Sequence, residues 1–209
     1  MNKTKVSNII ARLSTEYPDA KPLLKFNSDY QLLVAVILSA QCTDNRVNIV
    51  TETLFKDYGT PEKMLTLTQE ELGEIIKPCG LYNAKAKHIL SATKDIVEIH
   101  GGQVPSDFDK LTSLSGVGRK TADVMISVAF NGDAIAVDTH VFRLANRIGL
   151  VKADTPYKTE MALMKKIDKK LWSKSHHYLI FHGRKVCTAR RPNCQTCVIR
   201  DLCEYKDKL

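Results

Sequence analysis

Cys187, Cys194, Cys197 and Cys203 make a C-x6-C-x2-C-x5-C run close to the end of this 209-residue chain, and only Cys42 and Cys79 lie outside it. Four thiols crowded into one short segment constrain it more than any other feature does. As thiolates they are the ligand set of a [4Fe–4S] cluster or of a structural zinc site. Zinc sites usually pair their thiols as two short knuckles, whereas here only Cys194/Cys197 is short and the flanking gaps are six and five residues. That asymmetry favours a chain wrapped around a cluster. Two disulfides or a C-x-x-C redox pair are the other readings. Disulfides suit secreted chains, and the opening stretch MNKTKVSNIIARL has no long apolar region of the signal-peptide kind.

The same segment is basic. From Arg184 onward seven basic residues, among them Arg190, Arg191, Lys206 and Lys208, stand against three acidic ones, giving about half of the chain's net +8. A polyanion such as nucleic acid, or an anionic membrane surface, is the implied partner. No apolar run approaches the roughly 18 residues of a membrane span, so the expectation is a soluble, intracellular protein.

Helical periodicity dominates the rest. Val6, Ile9, Ile10 and Leu13 form one stripe, and residues 29–40 are almost wholly apolar, as in a buried helix. Asp44 is placed to cap a helix running to about Tyr58. Further helices are expected over Glu70–Lys77, Asn83–Ile99, Asp107–Ser113, Arg119–Phe130, Thr139–Ile148, Pro156–Leu171 and Ser173–Lys185. Ala134–Val137 is the only strand-like stretch. The pattern predicts an all-α protein of about ten helices.

Leu114-Ser-Gly-Val-Gly-Arg-Lys-Thr121 joins two of these helices. Gly116 and Gly118 permit a turn with positive φ and a close approach of ligand to backbone. The following helix starts with free N–H groups and the positive end of its dipole, an anion site. No strand precedes the loop, so it is neither a Rossmann fingerprint nor a P-loop. A plain turn between helices is the bland reading. Arg119 and Lys120 beside the glycines favour a helix-hairpin-helix gripping a DNA phosphate. Lys120 falls in the first helical turn, where the dipole disfavours the ammonium form and so favours a nucleophilic amine; on position alone it would pass for a surface lysine. Asp138, at the end of the apolar run Ala134–Val137, is a natural N-cap. A carboxylate fixed there is also able to stabilise an oxocarbenium-like centre.

Three motifs then agree in order: LSGVGRKTA, VDTHVFR and the cysteine run. Together with Leu38-Ser-Ala-Gln-Cys-Thr-Asp44 and Gly80-Leu-Tyr-Asn83, they resemble the endonuclease III family of DNA glycosylases over nearly the whole chain. The resemblance implies an all-α fold of two helical domains with a DNA-binding cleft between them. One is a six-helix domain over residues 22–132, with the hairpin at about 108–127. The other is an iron–sulfur domain formed by residues 1–21 and 133–209, with its cluster loop at 187–203.

It also implies the chemistry: a bifunctional glycosylase and AP lyase of base-excision repair, working on double-stranded DNA with oxidised pyrimidines or abasic sites. The enzyme would be a monomer, cytoplasmic and chromosome-associated, with no membrane partner. Lys120 takes the nucleophile's place and Asp138 that of the essential carboxylate. The four cysteines match the [4Fe–4S] ligands. Gln41 and Leu81 match residues that enter the duplex where the flipped base has left. Gly116, Gly118, Arg119, His140, Arg143, Arg190 and Arg191 fall in DNA-facing stretches. Two rivals remain: a monofunctional mismatch glycosylase, which Lys120 opposes, and a non-enzymatic DNA-binding module, which Lys120 and Asp138 together oppose. Cys42 and Cys79 receive no function; Cys79 stands next to the Gly80–Asn83 segment, where it could tune base preference.

Overall fold

A computed structural model describes residues 1–207; Lys208 and Leu209 lie outside the described residues. Among those described, eleven α-helices follow one another: α1 (Lys3–Glu16), α2 (Asp29–Leu38), α3 (Asp44–Tyr58), α4 (Pro61–Met64), α5 (Gln69–Ile76), α6 (Tyr82–Glu98), α7 (Phe108–Ser113), α8 (Arg119–Val124), α9 (Thr139–Arg147), α10 (Pro156–Lys166) and α11 (Trp172–Lys185). Turns of 3-10 helix at Lys77–Cys79 and Lys169–Leu171 precede α6 and α11, and α8 runs on into a π-helical turn at Met125–Ala129.

Most helix starts are written in the sequence as side-chain caps. Asn2, Ser28, Thr43, Thr60, Thr68, Asp107, Asp138 and Thr155 each accept the backbone N–H three residues on, an interaction worth about 1 kcal/mol per helix. At α5 the cap is reciprocal: the Glu71 carboxylate accepts the Thr68 N–H at 2.8 Å. Helices α6, α8 and α11 lack a side-chain cap.

Three local expectations are corrected, and one helix was not expected at all. Thr43 rather than Asp44 caps α3, with Asp44 as its first residue. Ala134–Val137 is fully buried but pairs with no strand, and no strand exists among the described residues; its apolar run reports burial, not a ladder. The helix from Pro156 stops at Lys166, where Ile167 turns extended (φ −94°, ψ 139°) and buries its side chain, and Asp168 then caps the 3-10 turn. The single turn α4, started by Thr60 and Pro61, was not foreseen, being too short to show periodicity.

The chain divides into two compact units: Pro22–Asn131, and Met1–Lys21 with the segment from Gly132 onward. In the first, α2 is buried on every face from Leu32 to Leu38, and α3, α6 and α8 pack against it while α5 lies along α6. Its apolar core draws Leu54, Met64, Leu72, Ile76, Ile89, Ile96 and Leu111 around that helix. In the second, α9 packs on α11 and α10, and α1 on α11, around Ile9, Leu13, Val141, Leu144, Leu163 and Leu179. No helix among the described residues is long and apolar enough to cross a membrane.

Candidate DNA-repair site and iron–sulfur segment

In the unit Pro22–Asn131, the hairpin from α7 to α8 turns at Gly116, whose φ is +78°. A Cβ there would meet the His88 Cβ at 2.8 Å, so both conformation and space demand glycine. His88 also holds the turn through Nδ1 to the Ser115 hydroxyl at 2.9 Å. Gly118 differs from expectation. Its φ is −86°, which any residue adopts, and nothing lies within 4 Å of where its Cβ would be. What Gly118 provides is open backbone at the uncapped start of α8. The Arg119 guanidinium stacks 4.8 Å over the Phe108 ring, and Lys120 stands exposed in the first turn of α8.

Two other loops of this unit hold strained residues. Gln41, just past the end of α2, has φ +53°, and Leu81, the N-cap of α6, has φ +49°; Asn131 is the only other non-glycine with positive φ among the described residues. A leucine in the left-handed region is a genuine outlier, costing on the order of 1–3 kcal/mol. Leu81 is also 58% exposed, so solvent contact adds a second unfavourable term. Below these loops Lys85 is 4% exposed, and its ammonium donates to the carbonyls of Leu38 (2.9 Å) and Cys79 (2.8 Å). Burial holds the Lys85 amine below its ordinary range, against the opposing pull of Cys42 and Cys79. Burial likewise pushes the Cys79 thiol up to about 11, and the neighbouring Cys42 adds to the shift.

In the other unit, Asp138 caps α9: its Oδ1 accepts the Val141 N–H at 2.7 Å. His140 is half-buried, and desolvation outweighs the pull of Asp138 to hold its imidazole below the usual histidine range. Arg143 points into the protein. Its Nη2 donates to the carbonyls of Gly183 (2.7 Å) and Cys187 (3.1 Å) and lies 3.4 Å from His140 Nδ1.

Cys187, Cys194, Cys197 and Cys203 line one small pocket, together with Arg147, His182 and Tyr205. None of them forms a disulfide. Among the described residues no group of three or more Cys, His, Asp or Glu side chains is gathered as a single metal ion requires. Donors face the sulfurs. The Tyr205 N–H approaches Cys203 Sγ at 3.4 Å, Arg147 Nη1 approaches Cys187 Sγ at 3.7 Å, and His182 Nε2 lies 3.4 Å from Cys197 Sγ. Hydrogen-bond donors beside the sulfurs would stabilise thiolates that ligate iron, so the residues present fit a [4Fe–4S] cluster.

The segment is anchored from outside its own sequence. Arg147 donates to Thr188 O (2.6 Å) and Ala189 O (2.8 Å) and covers the Tyr205 ring at 5.1 Å. Arg12 grips Asp201 with both nitrogens, at 2.6 and 3.1 Å, and also reaches Val198 O. Buried His182 accepts or donates at 3.0 Å with the Tyr17 hydroxyl. Arg190 and Arg191 stay exposed on the loop between the first two cysteines. Sequence reading missed Lys85, Arg147, His182 and Tyr17. A faint signal existed for Arg147: with His140 and Arg143 it recurs at i, i+3 and i+7, one face of α9.

The comparisons agree with this geometry. Residues 34–169 match the HhH-GPD superfamily base excision DNA repair protein, and residues 187–203 match the iron-sulfur binding domain of endonuclease III. Endonuclease III of Rickettsia conorii is 48% identical over 96% of this chain and 95% of its own length. That of Haemophilus influenzae is 46% identical over 100% and 99%. A solved structure of an endonuclease III trapped as a covalent intermediate with DNA superimposes with a TM-score of 0.94 at 42% identity, covering 98% of this chain and 96% of that one. The hairpin, the iron–sulfur segment and relatives matching end to end leave one conclusion: this chain belongs to the endonuclease III family and carries that family's [4Fe–4S] cluster.

Proposed function

We propose that the chain is a bifunctional DNA glycosylase and AP lyase that removes oxidised pyrimidines from duplex DNA. The observation that carries this reading is Lys120, an exposed amine in the first turn of an uncapped helix behind a glycine hairpin, in a family with a member trapped covalently on DNA.

The hairpin backbone and the exposed Arg190 and Arg191 would hold phosphates, contacts that add affinity without reading sequence. Leu81 and Gln41 would fill the gap left by the extruded nucleotide, since its glycosidic bond is out of reach while stacked. The neutral Lys120 amine attacks C1′ of the sugar and the base departs with the bonding electrons. Ring opening gives a Schiff base. Its electron-withdrawing iminium acidifies the C2′ proton, and β-elimination expels the 3′ phosphate. Asp138 holds α9 with one carboxylate oxygen; as an anion it would stabilise the positive charge that grows at the sugar.

Cys187, Cys194, Cys197 and Cys203 would hold the cluster. It would fold the basic loop, with Arg143 and Arg147 tying that loop to α9. The reading is tested by nicking and base release on thymine-glycol duplexes. Wild type should do both. Lys120→Gln should lose strand cleavage yet still bind the lesion, and Asp138→Asn should slow base release far more than it weakens binding. A Lys120→Gln protein that cuts at the wild-type rate defeats the proposal.

A further inference from the structure

We infer that Lys85 is a positioning residue for nucleotide extrusion: one buried ammonium fastens the two loops that present Gln41 and Leu81. The inference rests on the reading that those two side chains enter the duplex.

Lysine is rarely buried without a partner, because its charge is costly away from water. Here it is almost completely buried, and both assigned donors go to main-chain carbonyls rather than to a carboxylate. Neither carbonyl is arbitrary. Leu38 is the last residue of α2, and its oxygen is among the carbonyls a helix leaves unpaired at its C-terminus. A cation there also meets the negative end of the helix dipole. Cys79 ends the 3-10 turn that delivers Gly80 and Leu81.

A third bond closes the arrangement: the Lys85 backbone N–H donates to Leu81 O at 3.0 Å. One residue therefore grips the chain three positions before Gln41, two before Leu81, and at Leu81 itself. Strained backbone persists only where its surroundings over-determine it. Lys85 is the group common to both strained loops. A buried aliphatic side chain at this position would fill space equally well but leave two carbonyls without their donor. The loops would then relax, and two rigid wedges would become flexible ones.

Single-turnover rates decide this, measured on two substrates: a thymine-glycol duplex, where a base must be extruded, and a duplex with a preformed abasic site, where little must be. In the full iron-loaded protein, Lys85→Met should slow excision about tenfold while abasic-site cleavage changes less than about twofold. Adding Leu81→Ala to Lys85→Met should cost much less than Leu81→Ala costs alone, because the two act as a unit. Equal slowing on both substrates, or none on either in a protein with unchanged melting temperature, overturns the inference. If Leu81→Ala and Gln41→Ala each excise at the wild-type rate, the duplex-entry reading fails first and takes the inference with it. Should Lys85→Met not fold, Lys85→Gln serves: its shorter side chain reaches one carbonyl at most, and an undiminished excision rate in that variant also overturns the claim.

Discussion

The two units of this chain hold their functional loops by different means. In Pro22–Asn131 the loops are short connections between helices that already share an apolar core, and backbone conformation does the fixing: positive φ at Gly116, Gln41 and Leu81, with Lys85 beneath. In the other unit the described residues after α11 contain no helix, and their fixing is lateral: arginines from α1 and α9 hold their carbonyls, and four thiols line one pocket. The first arrangement rests on main-chain conformation and an apolar core. The second has few buried apolar side chains of its own, Ile199 being the most enclosed, so bonds to metal must supply much of its order.

That contrast is broken or sharpened most strongly by removing iron. Chelated protein, or Cys203→Ser, should lose hydrogen-exchange protection across residues 187–203 while the amides of Leu32–Leu38 in α2 remain protected. Protection lost to the same extent in both regions would mean the units do not differ in this way.

A smaller effect is expected from backbone changes in the hairpin. Gly116→Ala places a side chain where φ is +78° and the His88 Cβ is 2.8 Å away. It should cost roughly 2 kcal/mol or more, since left-handed backbone alone costs ~1–2. Gly118→Ala meets nothing within 4 Å and should unfold within about 0.5 kcal/mol of wild type, so any weakening of DNA binding there reports the approach of a phosphate. Denaturant titration and binding isotherms on both variants check the pair; equal stabilities would contradict the geometry.

The smallest effect belongs to the cluster loop. Arg191→Glu should weaken binding to lesion and undamaged DNA alike and lower the log–log salt slope by roughly 1, with iron content unchanged. Equal slopes and affinities in wild type and variant would leave Arg191 with no phosphate to meet.

How much of this was legible depended on whether the chemistry was local. Caps announce themselves within three residues, so Asp138 was placed from its position alone, while Asp44 was misread because Thr43 precedes it with an equally good oxygen. The cysteine run was legible because all its members lie in one segment. Lys85, Arg147 and His182 were not, because their partners are far away in sequence: Lys85 meets Leu38, 47 residues off, and His182 meets Tyr17, 165 residues off. A lysine within an amphipathic helix looks the same to a periodicity argument whether it faces water or two carbonyls. Burial also misled once, at Ala134–Val137, since a buried extended segment and a central strand share one apolar signature.

The central claim is that the Lys120 amine forms the covalent bond to DNA, and mapping the borohydride-trapped adduct tests it most directly. Wild-type protein incubated with a thymine-glycol duplex and borohydride, then digested and sequenced by mass spectrometry, should carry the sugar remnant on the peptide containing Lys120 and on no other. A remnant on a different amine, with Lys120 unmodified, would contradict the account.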